Sequence, residues 1–175
     1  MKLNTPGPIE VGDKTCEAFR TPMIAHRNQD FKDLYTAVMP DLQALLYTER
    51  LVYLGTSSAW GIMEGAIRNL VAKRVLTCMK GAFSDKWLDV AKRCGKEAEA
   101  LQVEWGLPIL PEQIDERLAT GEFDAITLVH NETSTGAMSP PAEIAQLKAK
   151  YPDVLFIVDS VSSPAGGRAD IMEVV

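Results

Sequence analysis

Leu155–Ser163 reads LFIVDSVSS: an apolar run of strand length, a lone carboxylate at Asp159, then a polar tail. A strand buried on both faces is a continuous run of Val, Ile, Leu and Phe, and charge appears only where it leaves the sheet. Asp159 therefore stands at a strand's carboxyl end. In open α/β sheets that edge gathers loops and the amino ends of helices, which makes it the place where ligands bind.

Working back from this strand, the chain alternates. AITLVHN (Ala125–Asn131) is a second fully apolar strand, and Pro140-Pro141 opens the helix that joins it to the first. RVLTCM (Arg74–Met79) is a third. The segment around Ala98–Glu104 alternates apolar with polar residues, as expected of an edge strand with one wet face, and LVYLG (Leu51–Gly55) reads as a further strand. Between them lie helices: Ser58 to Val71 with Met63, Ile67 and Leu70 on one stripe, one capped by Ser84 and closed by Gly95, and one from Pro111 to Gly121. Phe31, Leu34, Val38, Leu42 and Leu45 recur at helical spacing over about Gln29–Thr48, where Pro40 is expected to kink or split the helix. Strands alternating with helices predict an α/β fold, a mostly parallel sheet with helices on both faces.

The bulk numbers agree with an ordinary globular chain: 175 residues, 46% hydrophobic, 24% charged. A formal net charge of -6 argues against nucleic acid or an anionic membrane surface and for small metabolites. No apolar run reaches membrane-spanning length, and a cytoplasmic location is expected. Cys16, Cys78 and Cys94 are scattered and His26 and His130 are the only imidazoles, so neither a disulfide framework nor a metal site is predicted.

The segments after the strands must share one edge: Thr56-Ser57-Ser58, Lys80-Gly81-Ala82-Phe83, Asn131 to Gly136, and Asp159-Ser160. Hydroxyls, an aromatic ring and a carboxylate together suit a phosphorylated aromatic ligand. Thr5-Pro-Gly-Pro, TSSAWGIMEGAIRNL (Thr56–Leu70), KGAFSDKW (Lys80–Trp87), VHNETSTG (Val129–Gly136) and VDSVSS (Val158–Ser163), in this order, resemble the class V aminotransferases. The nearest branch looks like the alanine/serine–glyoxylate aminotransferases, and the likeness runs from Thr5 to about Gly167. It implies a fold-type-I large domain, pyridoxal 5'-phosphate as cofactor, amino acid and 2-oxo acid substrates, and a homodimer. Carried over, it gives Asp159 to the cofactor's pyridine nitrogen, Val161 and Phe83 to the two faces of its ring, and Thr133 to its phenolic oxygen. Ser58 with the backbone of Ala59 and Trp60 would take the phosphate, although Ala59 and Trp60 replace the small residues of the commoner turn.

Each residue has a plainer reading. An Asp at a strand end taken alone is a turn or cap residue, Ser58 can simply cap a helix, and Phe83, Trp60 and Trp87 can be core. The company of NETSTG favours the site. The resemblance also implies a Schiff-base lysine one strand beyond Asp159, and no lysine stands at that place in this chain. The expectation is thus the amino-terminal part of a longer enzyme, inactive by itself and poorly behaved in isolation, with an arm over residues 1–28 and a partial cofactor-binding domain over 29–175. Phosphoserine or ureidoglycine–glyoxylate aminotransferase activity, a lysine-less binding or assembly module, and an unrelated flavodoxin-like domain stay open as alternatives.

Overall fold

The computed structural model describes Leu3 and residues 7–163; Thr5 and Pro6 of the opening motif and the Gly166-Gly167 pair lie outside the described residues. The chain divides into two compact units, one up to Val52 and one from Tyr53 onward. The first holds a short helix α1 (Asp13–Ala18) and α2 (Gln29–Leu45). Helix α2 runs through Pro40 without a break, and its apolar stripe, with Phe31, Leu34, Val38 and Leu45, is exposed.

The second unit carries the sheet. Its elements are α3 (Ala59–Leu70), β1 (Arg74–Met79), α4 (Ala82–Arg93), β2 (Glu97–Gln102), α5 (Pro111–Leu118), β3 (Ala125–Val129), the hairpin strands β4 (Asn131–Glu132) and β5 (Ala137–Met138), α6 (Pro141–Lys150) and β6 (Leu155–Asp159). Four strands pair in the order β2-β1-β3-β6, all parallel. The predicted α/β architecture is therefore the observed one, with β2 at an edge as its alternating pattern required.

Alternation along the strands sorts the core into two layers. Leu76, Cys78, Ile126, Leu128 and Phe156 face α5 and α6 through Ile114, Leu118 and Ile144. Val75, Ala125 and Val129 face α3 and α4 through Met63, Ile67, Trp87 and Val90. With both faces covered, every residue of β3 is buried, which is why it reads as an unbroken apolar run. Each such buried Leu or Ile contributes roughly 1.5–3 kcal/mol of transfer free energy. At the amino edge of the sheet, the Asp124 carboxylate accepts from the backbone N–H groups of Ala72, Lys73 and Arg74 and ties the start of β1 to that of β3.

Three local expectations change. Leu51–Gly55 is not a strand: it pairs with nothing in either sheet, and Leu51, Tyr53 and Leu54 are exposed. Its apolar content gave the right propensity, but a strand needs a partner's hydrogen bonds. Ser84 is not a cap, because α4 already starts at Ala82 and Ser84 is buried in its first turn. Finally, Val161, two residues beyond Asp159, is expected to share its face of the strand, but β6 ends at Asp159 and Val161 lies in the turn that follows. Glycines where helices stop behave as read: Gly95 and Gly121 have φ of 74° and 73°.

Among the described residues β6 has a strand neighbour on one side only. No helix among them is long and apolar enough to cross a membrane.

Candidate functional site

The strand order turns at β1: the chain leaves β1 for β2 through α4 on one face and returns to β3 through α5 on the other. Loops diverge at such a switch, and a crevice opens at the carboxyl edge. Lys80-Gly81, His130 and Asp159 are the exits of β1, β3 and β6 at that edge, with Val129 and Asp159 in register as strand partners.

Asp159 is 8% exposed. Its Oδ1 accepts the Val161 N–H at 3.1 Å and its Oδ2 accepts the Trp87 indole N–H at 3.4 Å. Both donors are neutral, and among the described residues no cation pairs with this carboxylate. Burial pushes its pKa up; the two hydrogen bonds only partly offset the rise, and the nearby Glu132 charge adds to it.

Trp87 links Asp159 to the other elements. Its ring lies 5.7 Å from that of Trp60, in the first turn of α3, and Lys86 Nζ sits 4.3 Å over the Trp60 ring. The bulk at position 60 is thus packed back on α4. Ser58 is the residue before α3 and makes no side-chain cap, so the first backbone donors of Ala59 and Trp60 receive nothing from it. Phe83 stands four residues before Trp87, on the same face of α4, and is 43% exposed. Val161 is exposed as well.

Thr133 reaches the turn after β6 through Ser162, a residue that carried no signal in the chain. Its hydroxyl donates to Ser162 Oγ at 3.0 Å; Asn131 Nδ2 donates to the same oxygen at 2.9 Å, and Ser162 Oγ donates to Asn131 O at 2.9 Å. The β4–β5 hairpin is thereby fastened to the turn after β6. Trp60 and Asp159, and Val161 through Asp159, are thus joined around Trp87, and Thr133 is joined to the turn after β6 through Ser162.

Behind this surface lies a polar pocket that sequence reasoning touched only through the Asn131–Gly136 segment, which contains Glu132. Glu132 is fully buried, and its carboxylate accepts from Ser84 N–H (2.9 Å), Ser84 Oγ (2.9 Å), Phe83 N–H (3.4 Å), Ser134 N–H (3.2 Å) and Ser134 Oγ (2.7 Å). Burial pushes its pKa up, but the hydrogen bonds from Ser134 and Ser84 outweigh burial and hold it below its ordinary value. Lys80, equally buried, donates to His130 O (3.0 Å), Ala137 O (3.1 Å) and Ser139 Oγ (2.7 Å). As an ammonium its three protons are all engaged. His130 is buried too, and burial and Lys80 both lower its pKa.

Comparison with known proteins gives the arrangement a lineage. An uncharacterised aminotransferase of Methanocaldococcus jannaschii is 36% identical over 172 residues, 97% of this chain and 44% of that protein. The serine–glyoxylate aminotransferase of Methylorubrum extorquens is 35% identical over 169 residues, 92% of this chain and 42% of its own. The crystal structure of an alanine–glyoxylate aminotransferase from Nostoc sp. superposes with a TM-score of 0.88 at 27% identity, covering 96% of this chain and 45% of that one. The chain is thus similar in sequence and in fold to aminotransferases. It spans less than half the length of these aminotransferases, and its sheet is part of their fold. No family model matches it.

The residues at the carboxyl edge fit the pyridoxal phosphate that the resemblance implies. A desolvated carboxylate held only by neutral donors suits a protonated ring nitrogen, and exposed apolar groups at Phe83 and Val161 suit the ring's faces.

Proposed function

We propose that this chain carries the cofactor-binding part of a pyridoxal-phosphate-dependent aminotransferase, which moves an amino group from alanine or serine to glyoxylate or a similar 2-oxo acid. When bound, the cofactor supplies an electron sink for the bond broken at the substrate's α-carbon. The observation that carries this reading is Asp159, a buried carboxylate at the exit of β6 that pairs with no cation among the described residues. It would hold the proton on the ring nitrogen, with Val161 and Phe83 covering the ring's two faces. Thr133 would donate to the phenolic oxygen, and Ser58 with the N–H groups of Ala59 and Trp60 would receive the phosphate, where the helix dipole favours an anion. Glyoxylate as acceptor is supported by relatives named as serine–glyoxylate, L-aspartate–glyoxylate and (S)-ureidoglycine–glyoxylate enzymes.

The same reading takes residues 1–28 as an arm and 29–175 as the partial large domain, in a cytoplasmic homodimer. A titration of the purified chain with pyridoxal phosphate, followed by tryptophan fluorescence, tests it, because Trp60 and Trp87 adjoin the site. Saturable binding that Asp159→Asn weakens at least tenfold is expected. Binding that Asp159→Asn leaves within twofold would overturn the role of Asp159, and no saturable binding would overturn the cofactor itself.

A further inference from the structure

We propose that Glu132 is a positioning residue that fixes Phe83 on α4 and Thr133 on the β4–β5 hairpin relative to one another. What those two residues would hold rests on the reading just given; the coupling between them rests on contacts alone.

The amino end of α4 has donors to satisfy, and Gly81 before it has no side chain to satisfy them. They are satisfied from 48 to 52 positions away: Ala82 N–H by Ser134 Oγ at 3.0 Å, and Phe83 and Ser84 N–H by the Glu132 carboxylate. Thr133 lies between these two acceptors, so the residues that cap the helix are the ones that flank it. The grip is doubled at its base, where Lys80 holds His130 O and Ala137 O, one carbonyl on each side of the hairpin, and Ser139 beyond it. The space between is filled: a Cβ on Gly81 would come 2.4 Å from Glu132 Cγ and 2.7 Å from Ser134 Oγ. Helix start and hairpin therefore meet in one register.

A carboxylate is required because every partner of Glu132 is a donor. Glutamine keeps one acceptor oxygen and turns an NH2 group toward donors on the other side. Glu132→Gln should loosen one attachment and Glu132→Ala both.

The test measures amide hydrogen exchange at Phe83, Ser84 and Ser134, and the Kd for pyridoxal phosphate, in wild type, Glu132→Gln and Glu132→Ala. The expected result is faster exchange on both helix and hairpin in Glu132→Ala, a Kd raised at least tenfold, and intermediate values in Glu132→Gln. Exchange that changes on one side only, or a Kd within twofold of wild type in a folded variant, would overturn the proposal. If Glu132→Ala does not fold, Glu132→Gln decides by the same readings. Should wild type bind no pyridoxal phosphate, the cofactor reading falls, and exchange still decides the coupling.

Discussion

Two buried carboxylates stand at the same edge of the sheet and are shifted in opposite senses. Glu132 receives hydrogen bonds from two elements, and its pKa is lowered; Asp159 has two neutral donors, one of them long, and its pKa is raised. The two helix starts beside them differ in the same way: the donors of α4 are closed by Glu132 and Ser134, whereas α3 receives no cap from Ser58. The difference separates a pocket that is chemically complete from a surface that still has capacity. Glu132 is spent on structure, and on the proposed reading Asp159 and the α3 terminus would take the ligand.

The comparison breaks most visibly at Glu132. Glu132→Ala leaves several buried donors unpaired, and a loss of about 3 kcal/mol in unfolding free energy is expected, measured by urea denaturation. A loss under about 1 kcal/mol would mean that water replaces the carboxylate and the pocket is not closed.

Gly81→Ala tests whether the pocket is as full as it looks. The backbone at Gly81 is extended and any residue can adopt it, so the cost comes from the Cβ driven into Glu132. Overpacking of this kind costs about 2 kcal/mol, again read from denaturation.

A smaller effect sharpens the role of Lys80. Its folded pKa is about 8 against 10.5, so in that interval the unfolded chain binds more protons and stability rises with pH, by at most about 1.4 kcal/mol per unit. Buried Cys78, pushed up to about 12 from 9.0, acts oppositely above pH 9. Between pH 8 and 9, wild type should therefore gain stability relative to Lys80→Met. Parallel curves would show that Lys80 does not titrate there.

The least effect is expected at Ser58. With no cap hydrogen bond to lose, Ser58→Ala should cost under about 0.5 kcal/mol where a working N-cap costs about 1, while still weakening pyridoxal phosphate binding. A full capping loss would place Ser58 with Glu132 among the structural groups.

The sheet and its carboxyl edge were legible because burial on two faces leaves an unmistakable pattern: β1, β3 and β6 are apolar runs, and β2 alternates because it is an edge. Helix ends at Gly95 and Gly121 were legible for a local reason, the left-handed backbone. Leu51–Gly55 misled because propensity is local and pairing is not. Ser84 misled because a serine near a helix start resembles a cap whether or not a distant carboxylate has taken that task.

By itself, then, the sequence determined the order of the elements, the parallel sheet and the placing of Asp159, Phe83 and Thr133 at one edge, all consequences of periodicity and of what each strand leads into. Only the tertiary structure decided how those residues are held: Trp87 on Asp159, Ser162 on Thr133, Glu132 across to α4 and Lys80 beneath the hairpin. These contacts join positions 29 to 72 residues apart. Hydrogen bonds of that reach leave no period in the chain, since any donor or acceptor of suitable length could have made them until folding fixed the distance.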